Sequence, residues 1–472
     1  MAQIAFGTSG WRGVLCRDFT FENVRKVTLA IARYLQQTNE AANGVVIGRD
    51  TRFMGKAFCE EAASVLAFAG IPIFLCDRDV PTPVLSFEVL RRGTAGCINF
   101  TASHNPPEYN GVKFSPSWGG PALPETTKEI ERLANGMTAI DVSEIFSFEK
   151  AQASGLITMI DPRPAYLQDI ATKVDLDAIC SIGALALNPL YGTARGYLDA
   201  PLVERHIPCT IINDYLDPYF GGEPPEPSEA HIHDFIEIVK TDPAIKLGLA
   251  TDGDADRFGI VDGNGRFIEP NYIIALLLDY LITYRGLTGG VARSVATSHF
   301  VDAVAKKHGV EVFETPVGFK FIGELIAADK IVIGGEESAG LTIKGHVPEK
   351  DGIIACLLVA EMVAKTGKSV SELLESLYRE VGTFITRRDN LRLSEELEAA
   401  YPAKVATPPS DLAGQKVINV VTIDGVKLVL ADGAWVLFRK SGTEPVVRLY
   451  GEAATEEQLT AIMQAGRNFI LS

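Results

Sequence analysis

Short apolar runs along the chain alternate with longer stretches of helical spacing, and the alternation repeats three times. The first copy opens on Val45-Val46-Ile47, passes through a helix over residues 59–69, and turns at Gly70 into a strand over 71–75. It ends with the run Gly96–Phe100, which empties into Thr101-Ala102-Ser103-His104-Asn105-Pro106. The second copy reads as a strand over 184–187, a helix near 192–203, a strand over 207–212, and a run over 247–250. That run leads into Asp252-Gly253-Asp254-Ala255-Asp256-Arg257. The third opens at 294–296, with a helix over 301–307, a strand over 310–313, and a run over 331–333 that ends in Gly334-Gly335-Glu336-Glu337-Ser338. Strands alternating with helices predict largely parallel sheets covered on both faces, with ligands beyond the carboxyl ends of the strands. All three polar loops fall there.

Past residue 380 the spacing changes. Strands are expected over 417–423, 426–430, 434–438 and 446–450, with Asp424-Gly425 and Asp432-Gly433 as hairpin signals. Thr455 and Gln458 then form a capping-box pattern ahead of a helix that buries Leu459, Ile462, Met463 and Phe469. The expected organisation is therefore α/β: three related mixed-sheet domains over 1–160, 161–266 and 267–380, then a C-terminal α+β domain over 381–472.

Composition narrows the function. With 472 residues, 47% apolar and 22% charged, the chain has the balance of a multidomain globular enzyme. A net charge of −16 speaks against nucleic acid or an anionic membrane as a partner. The apolar stretch over 272–282 is too short to span a bilayer and carries Asp279. The N-terminus lacks the basic start and apolar stretch of a signal peptide, and seven scattered cysteines without a C-x-x-C fit reduced thiols. A cytoplasmic location is expected.

The polar loops carry the chemistry. Asp252, Asp254 and Asp256 imitate the start of a calcium loop, but Arg257 stands where its glycine belongs and Gly263 where its glutamate belongs. Three carboxylates on a tight loop suit Mg²⁺, which binds a few carboxylates plus a phosphate oxygen. Ser103 lies outside any G-x-S-x-G elbow; it reads either as a phosphorylated serine with Lys113 as a nearby cation, or as part of an ordinary polar loop. Arg439-Lys440-Ser441-Gly442-Thr443-Glu444-Pro445 with Arg448 has the makings of an anion cradle: two forked guanidinium groups, two hydroxyls and a glycine for close approach. Glu336 and Ser338 suit paired sugar hydroxyls, or equally a cap on the segment that follows. Thr366-Gly367-Lys368-Ser369 is not a P-loop, because Met362 occupies the position of its first glycine.

Taken together, T-A-S-H-N-P, D-G-D-x-D-R, G-E-x-S and R-x-S-G-T-E-P run in family order and closely resemble the α-D-phosphohexomutase superfamily. The resemblance implies a heart-shaped, four-domain phosphohexomutase. It implies that Ser103 is a phosphoserine, and that Asp252, Asp254 and Asp256 hold Mg²⁺ with a phosphate oxygen on Ser103. Glu336 and Ser338 would grip the sugar hydroxyls, and Arg439, Ser441, Gly442, Thr443 and Arg448 the phosphate that is not reacting. Arg12, His104, Lys113, Arg257, Lys320 and His346 would surround the transferring group, His346 and Arg257 on the sugar side. His104, Lys113 and Lys320 are equal candidates for proton exchange. The Glu-Glu pair at 336–337 resembles glucose-phosphate members, so phosphoglucomutase activity through glucose 1,6-bisphosphate, the intermediate and activator, is expected. A glucose/mannose bifunctional enzyme, a bisphosphate synthase and a non-catalytic binder are the alternatives. Hexose phosphates are the expected partners, with the chain a monomer or homodimer.

Overall fold

The computed structural model describes residues 3–7, 10–137, 145–440 and 446–471. Four sheets follow one another along the chain. In the first, the parallel strands Ile157–Ile160, Ile73–Cys76, Val45–Arg49 and Gly96–Phe100 lie side by side, and Tyr109–Pro116 and Trp11–Val14 are added antiparallel at one edge. The second runs Cys209–Ile211, Ala184–Asn188 and Ile245–Thr251 in parallel, followed by antiparallel Phe258–Asp262 and Phe267–Ile268. The third pairs Val312–Thr315, Gly290–Ser294 and Ile331–Glu336 in parallel, then Gly340–Ile343 antiparallel. One plan is therefore used three times: parallel strands, then a hairpin that folds the last of them back.

The fourth sheet is antiparallel throughout, in the order Ile385–Arg392, Val446–Ala453, Trp435–Lys440, Val426–Leu430, Gln415–Val421 and Asp411–Leu412. Helix Glu456–Leu471 covers one face with Leu459, Ile462, Met463 and Ile470, and Thr455 Oγ1 accepts from the Gln458 amide at 3.3 Å. This four-part α/β architecture is the expected fold class.

Two of the expected elements are placed differently in the structure. The third domain opens on Gly290–Ser294 instead of at 294. Arg293 interrupts the apolar run but is buried, its charge met by Asp302 and by Glu314 at 2.7 Å, so a strand interior looked like a loop. The helix expected near 192–203 is reduced to Ala200–Val203. Gly196 sits at φ 78°, and Gly192 packs with its Cα face against Gly253, so residues 192–199 follow the aspartate loop in turns.

Helices Pro270–Thr283 and Gly352–Thr366 are apolar on nearly all sides because both lie inside a core to which the first three domains contribute. The C-terminal domain docks through Trp435, Leu437 and Tyr450 against Val295 and Ala296. Beside them the buried Lys427 donates to the Val295 carbonyl (2.9 Å), shares a hydrogen bond with His299 Nε2 (2.8 Å), and lies 4.0 Å from the centroid of the Trp435 ring.

Candidate active site

Each chemically loaded loop is the tip of one of the three hairpins. At each tip a residue other than glycine adopts left-handed backbone: Ser103 at φ 51°, Ala255 at 56° and Ala339 at 71°. Such conformations cost on the order of 1 kcal/mol or more each and persist only where surrounding contacts over-determine them.

For the serine tip those contacts come from Arg52. Its side chain is buried, paired with Asp50 at 3.0 Å, and donates to the carbonyls of Ser103 (2.7 Å), Asn105 (2.6 Å), Pro106 (2.7 Å) and Tyr109 (2.9 Å). Asp50 also accepts from Thr101 Oγ1 at 2.7 Å, and Thr101 Oγ1 in turn accepts from the Ser103 amide at 2.9 Å. The strand after the tip passes between two others so closely that a Cβ on Gly111 would lie 2.5 Å from the Thr101 carbonyl oxygen and 2.7 Å from that of Trp11. This packing fixes the next inward-facing residue, Lys113.

The serine and aspartate tips meet across the first two domains. Ser103 Oγ donates to Asp252 Oδ2 at 2.8 Å, and Asp252 Oδ1 accepts from the Arg257 amide at 3.0 Å. Thr82 Oγ1 donates to Asp254 Oδ2 at 2.6 Å. Lys113 Nζ lies 2.6 Å from Asp254 Oδ2 and 2.9 Å from Asp256 Oδ2, and Lys350 Nζ lies 3.2 Å from Asp256 Oδ2. One oxygen from each aspartate falls within 4.8 Å of the others. Asp254 Oδ1 and Asp256 Oδ1 are buried without a hydrogen-bond donor among the described residues. Acceptors that lack donors in a dry site suit a hard divalent cation, so the residues present fit Mg²⁺.

Burial and the two neighbouring carboxylates push the Asp252 carboxyl well up. Burial pushes Asp254 and Asp256 up as well, but Lys113, joined at Asp256 by Lys350 and Arg257, outweighs it and leaves both below the usual range. Lys113 loses solvation on burial yet is raised overall by those two aspartates, so it stays an ammonium. His104 is the opposite case. Burial, with Arg257 and Arg12 nearby, drives its imidazole well below the ordinary value, and its Nδ1 lies 3.4 Å from Ser103 Oγ. Arg12 closes this side by donating to Asn105 Oδ1 at 2.5 Å. Arg257 reaches Glu226 at 3.5 Å.

On the far side, a cleft of about 460 Å³ is lined by residues of the second, third and C-terminal domains, among them Arg257, Glu337, Ser338 and Tyr450. Glu336 is buried and accepts from the Gly318 amide at 2.7 Å; burial and Glu337 push its carboxyl up to about 7. Glu337 turns inward, accepting from Ser294 Oγ at 2.9 Å. Lys320 is half-buried against the Phe321 ring, and burial lowers its ammonium. Arg439 Nε donates to Asp424 Oδ2 at 2.8 Å, and Arg448 stands directly opposite Arg439 in the sheet. Ser441, Gly442 and Thr443 lie outside the described residues.

His346, expected beside the transferring group, is held elsewhere. Its Nε2 lies 2.7 Å from Asp351 Oδ2 and its Nδ1 3.2 Å from Lys173 Nζ, while Tyr166 shares the same Asp351 oxygen at 2.5 Å. Asp351 spends its other oxygen on the amides of Ile353 and Ile354, capping a helix. The histidine therefore braces that cap. The next residue, Gly352, donates to the Ala255 carbonyl at 3.0 Å, so the brace bears on the aspartate tip from behind.

Four family models describe this chain, in order: phosphoglucomutase/phosphomannomutase alpha/beta/alpha domain I over residues 3–140, domain II over 164–265, domain III over 269–381, and the C-terminal domain over 389–468. The chain belongs to the phosphoglucomutase/phosphomannomutase family. It is a phosphohexomutase, an isomerase. A "Phosphoglucomutase/phosphomannomutase" from Thermococcus kodakarensis is 34% identical over 98% of this chain and 97% of its own. A "Probable phosphoglucosamine mutase" from Pyrococcus abyssi is 31% identical, again over 98% and 97%. The crystal structure of a putative phosphomannomutase from Thermus thermophilus superposes with a TM-score of 0.85 at 34% identity, covering 100% of both chains.

Three residues of the candidate site carry too little local signal to stand among the expected ones: Arg52, Thr82 and Lys350. Arg52 lies in Gly48-Arg49-Asp50-Thr51-Arg52, a run that reads as a salt-bridged turn, and its acceptors are backbone carbonyls that no residue pattern reveals. Lys350 follows Glu349 in a polar segment, 2.9 Å from that carboxylate, and only the fold brings Asp256 to it. Among the described residues, no helix is long and apolar enough to cross a membrane.

Proposed function

We propose that this phosphohexomutase is a phosphoglucomutase. It would interconvert glucose 1-phosphate and glucose 6-phosphate through phospho-Ser103 and glucose 1,6-bisphosphate. The observation that carries the reading is the contact between the Ser103 hydroxyl and Asp252 at the junction of two domains, with Lys113 beside it. A nucleophilic hydroxyl, a cation-ready carboxylate cluster and a nearby ammonium are what phosphoryl transfer requires.

Asp252, Asp254 and Asp256 would hold Mg²⁺, which when bound neutralises charge on the transferring phosphoryl group. Lys113, whose ammonium form Asp254 and Asp256 favour, adds positive charge at the same place. Of the three proton-exchange candidates, His104 is the one in contact with Ser103 Oγ, at 3.4 Å, and burial favours its neutral form, which can accept a proton. Arg12 and Arg257 orient the group in transit. Glu336 and Ser338 would read the sugar hydroxyls, and Arg439 and Arg448 with Ser441, Gly442 and Thr443 would bind the distal phosphate.

Glucose preference rests on Glu336-Glu337 and on the way Ser294 and Thr297 hold Glu337 inward (2.9 and 3.4 Å). The mixed name of the Thermococcus relative favours a second reading, a bifunctional glucose/mannose enzyme. Turnover of glucose 1-phosphate, mannose 1-phosphate and glucosamine 1-phosphate, primed with the matching bisphosphate, separates them. Phosphoglucomutase predicts at least tenfold higher kcat/KM on the glucose ester. Equal values on glucose and mannose establish the bifunctional reading, and preference for the amino sugar overturns both.

A further inference from the structure

The register of the C-terminal sheet places a third arginine beside the two already assigned to phosphate. Residues directly opposite in an antiparallel ladder project from the same face, as do residues two apart on one strand. Arg439 stands opposite Arg448, Arg448 opposite Asn390, and Arg388 opposite Tyr450. Arg448 and Tyr450 are two apart, and so are Arg388 and Asn390. Arg439, Arg448 and Arg388 therefore share one face of the sheet, with Arg388 the diagonal neighbour of Arg448, within about 8 Å by ladder geometry.

That face reaches the cleft at Arg388, Trp435 and Tyr450, while Arg439 and Arg448 lie farther along it, off the cleft lining. Arg388, Tyr450, Glu337 and Ser338 all line the cleft, and the Arg388 guanidinium lies 5.7 Å from the centroid of the Tyr450 ring. The charges of Glu337, Arg388, Arg448 and Arg439 all act on the Tyr450 hydroxyl.

Among the described residues, the charges on this face are only partly paired with acids. Arg439 is paired with Asp424 at 2.8 Å, and the adjacent Arg387, also on the cleft wall, is paired with Glu456 at 2.7 Å. Arg257, across the cleft, has Glu226 at 3.5 Å. Among the described residues, Arg388 and Arg448 have neither a carboxylate within ion-pair range nor a hydrogen-bond acceptor. In a chain with net charge −16, two neighbouring guanidinium groups with no ion-pair partner among the described residues, the exposed Arg388 resting over a tyrosine ring, are free to meet a ligand of opposite sign.

The geometry points to Arg388 as a further substrate-binding residue, a third guanidinium for the distal phosphate of the hexose phosphate, supplied from the first strand of the C-terminal domain. The inference rests on the proposed hexose-phosphate chemistry for its substrate, and Tyr450 is its platform. Arg388 contacts the part of the ligand that does not react, so its loss weakens binding and leaves the chemical step largely intact.

The full-length enzyme, its R388Q variant and its R388K variant decide the matter. R388Q is expected to raise KM for glucose 1-phosphate about tenfold with kcat changed less than twofold. It should weaken inhibition by inorganic phosphate in parallel, and R388K should recover part of both. Unchanged KM and unchanged phosphate inhibition in R388Q, or a loss confined to kcat, would overturn the assignment. Calorimetric titration with inorganic phosphate keeps the two readings apart. If the unaltered protein turns over no hexose phosphate, the functional reading fails; the ratio of phosphate affinities between that protein and R388Q still rules for or against Arg388.

Discussion

Lys113 Nζ sits 2.6 Å from Asp254 Oδ2, and the two residues come from different domains. The same ammonium also reaches Asp256, so one buried cation joins the serine-bearing sheet to the aspartate tip. Removing one partner of a buried pair typically costs about 3–5 kcal/mol, because the charge left behind has no solvent. Lys113→Met is therefore expected to lower the thermal midpoint strongly in chelator and less in excess Mg²⁺, since a bound metal takes over part of the neutralisation. Activity should fall by at least about a hundredfold. Equal destabilisation with and without Mg²⁺ would show that lysine and metal do not share the aspartates.

Ser103→Ala removes the phosphate carrier and one hydrogen bond to Asp252. Turnover should disappear, and intact-mass measurement should show no phosphorylated species under conditions where the unaltered chain gains one. Stability should fall by no more than about 1.5 kcal/mol. Ser103→Gly should also be inactive but more stable than Ser103→Ala, because glycine adopts φ 51° without strain. Residual mutase activity in either variant rules out the phosphoserine route.

Arg52→Lys keeps the charge and loses the fork that holds four carbonyls of the serine tip. We expect a destabilisation of about 2–3 kcal/mol and a drop in kcat larger than the rise in KM, because the residue positions Ser103 without touching substrate. A variant with normal kcat would mean that the left-handed tip holds itself.

Glu336 gives a pH test. Burial and Glu337 raise its carboxyl from the ordinary 4.5 to about 7. The folded state therefore favours the protonated acid, a contribution fully present below 4.5 and lost as pH rises through about 7. Stability of the substrate-free protein should decline by roughly 3 kcal/mol over that window on this account, and Glu336→Gln should flatten the decline. Substrate affinity should move the other way, because the ionised carboxylate is the better acceptor for sugar hydroxyls. An unaltered pH profile in Glu336→Gln would remove Glu336 from both roles.

Lys427 tests how the C-terminal domain is seated. Burial, with Arg293 nearby, lowers its ammonium from the ordinary 10.5 to about 8. A depressed lysine contributes stability above 10.5 that is lost as pH falls towards about 8 and then stays level. Lys427→Met should erase that slope, read as the thermal midpoint against pH. Persistence of the slope would place its origin at another group.

The sequence exposed most of the parallel strands, the three polar tips and the changed character of the last domain, because apolar runs and Asp-Gly turns are local signals. It hid the return strands. Tyr109–Pro116 contains Asn110 and Lys113, polar residues that are buried by pairing and by the aspartates, so its pattern resembles a loop. The same effect displaced the start of the third domain, where Arg293 is buried in a strand. His346 went astray for a related reason. A histidine in a loop near a sugar motif looks exposed, and only the arrival of Tyr166 and Lys173 from another domain reveals it as a brace.

Because each tip and its return strand belong to one continuous ladder, spacing there is a matter of parity. Lys113 faces Asn99 across the sheet, and adjacent residues of a strand face opposite sides. Inserting or deleting a single residue between Ser103 and Lys113 would turn the ammonium away from Asp254 and put Val112 or Phe114 in its place. A two-residue change would preserve the side but move the charge by about 7 Å. The length of this tip is thus held as tightly as the identity of its residues.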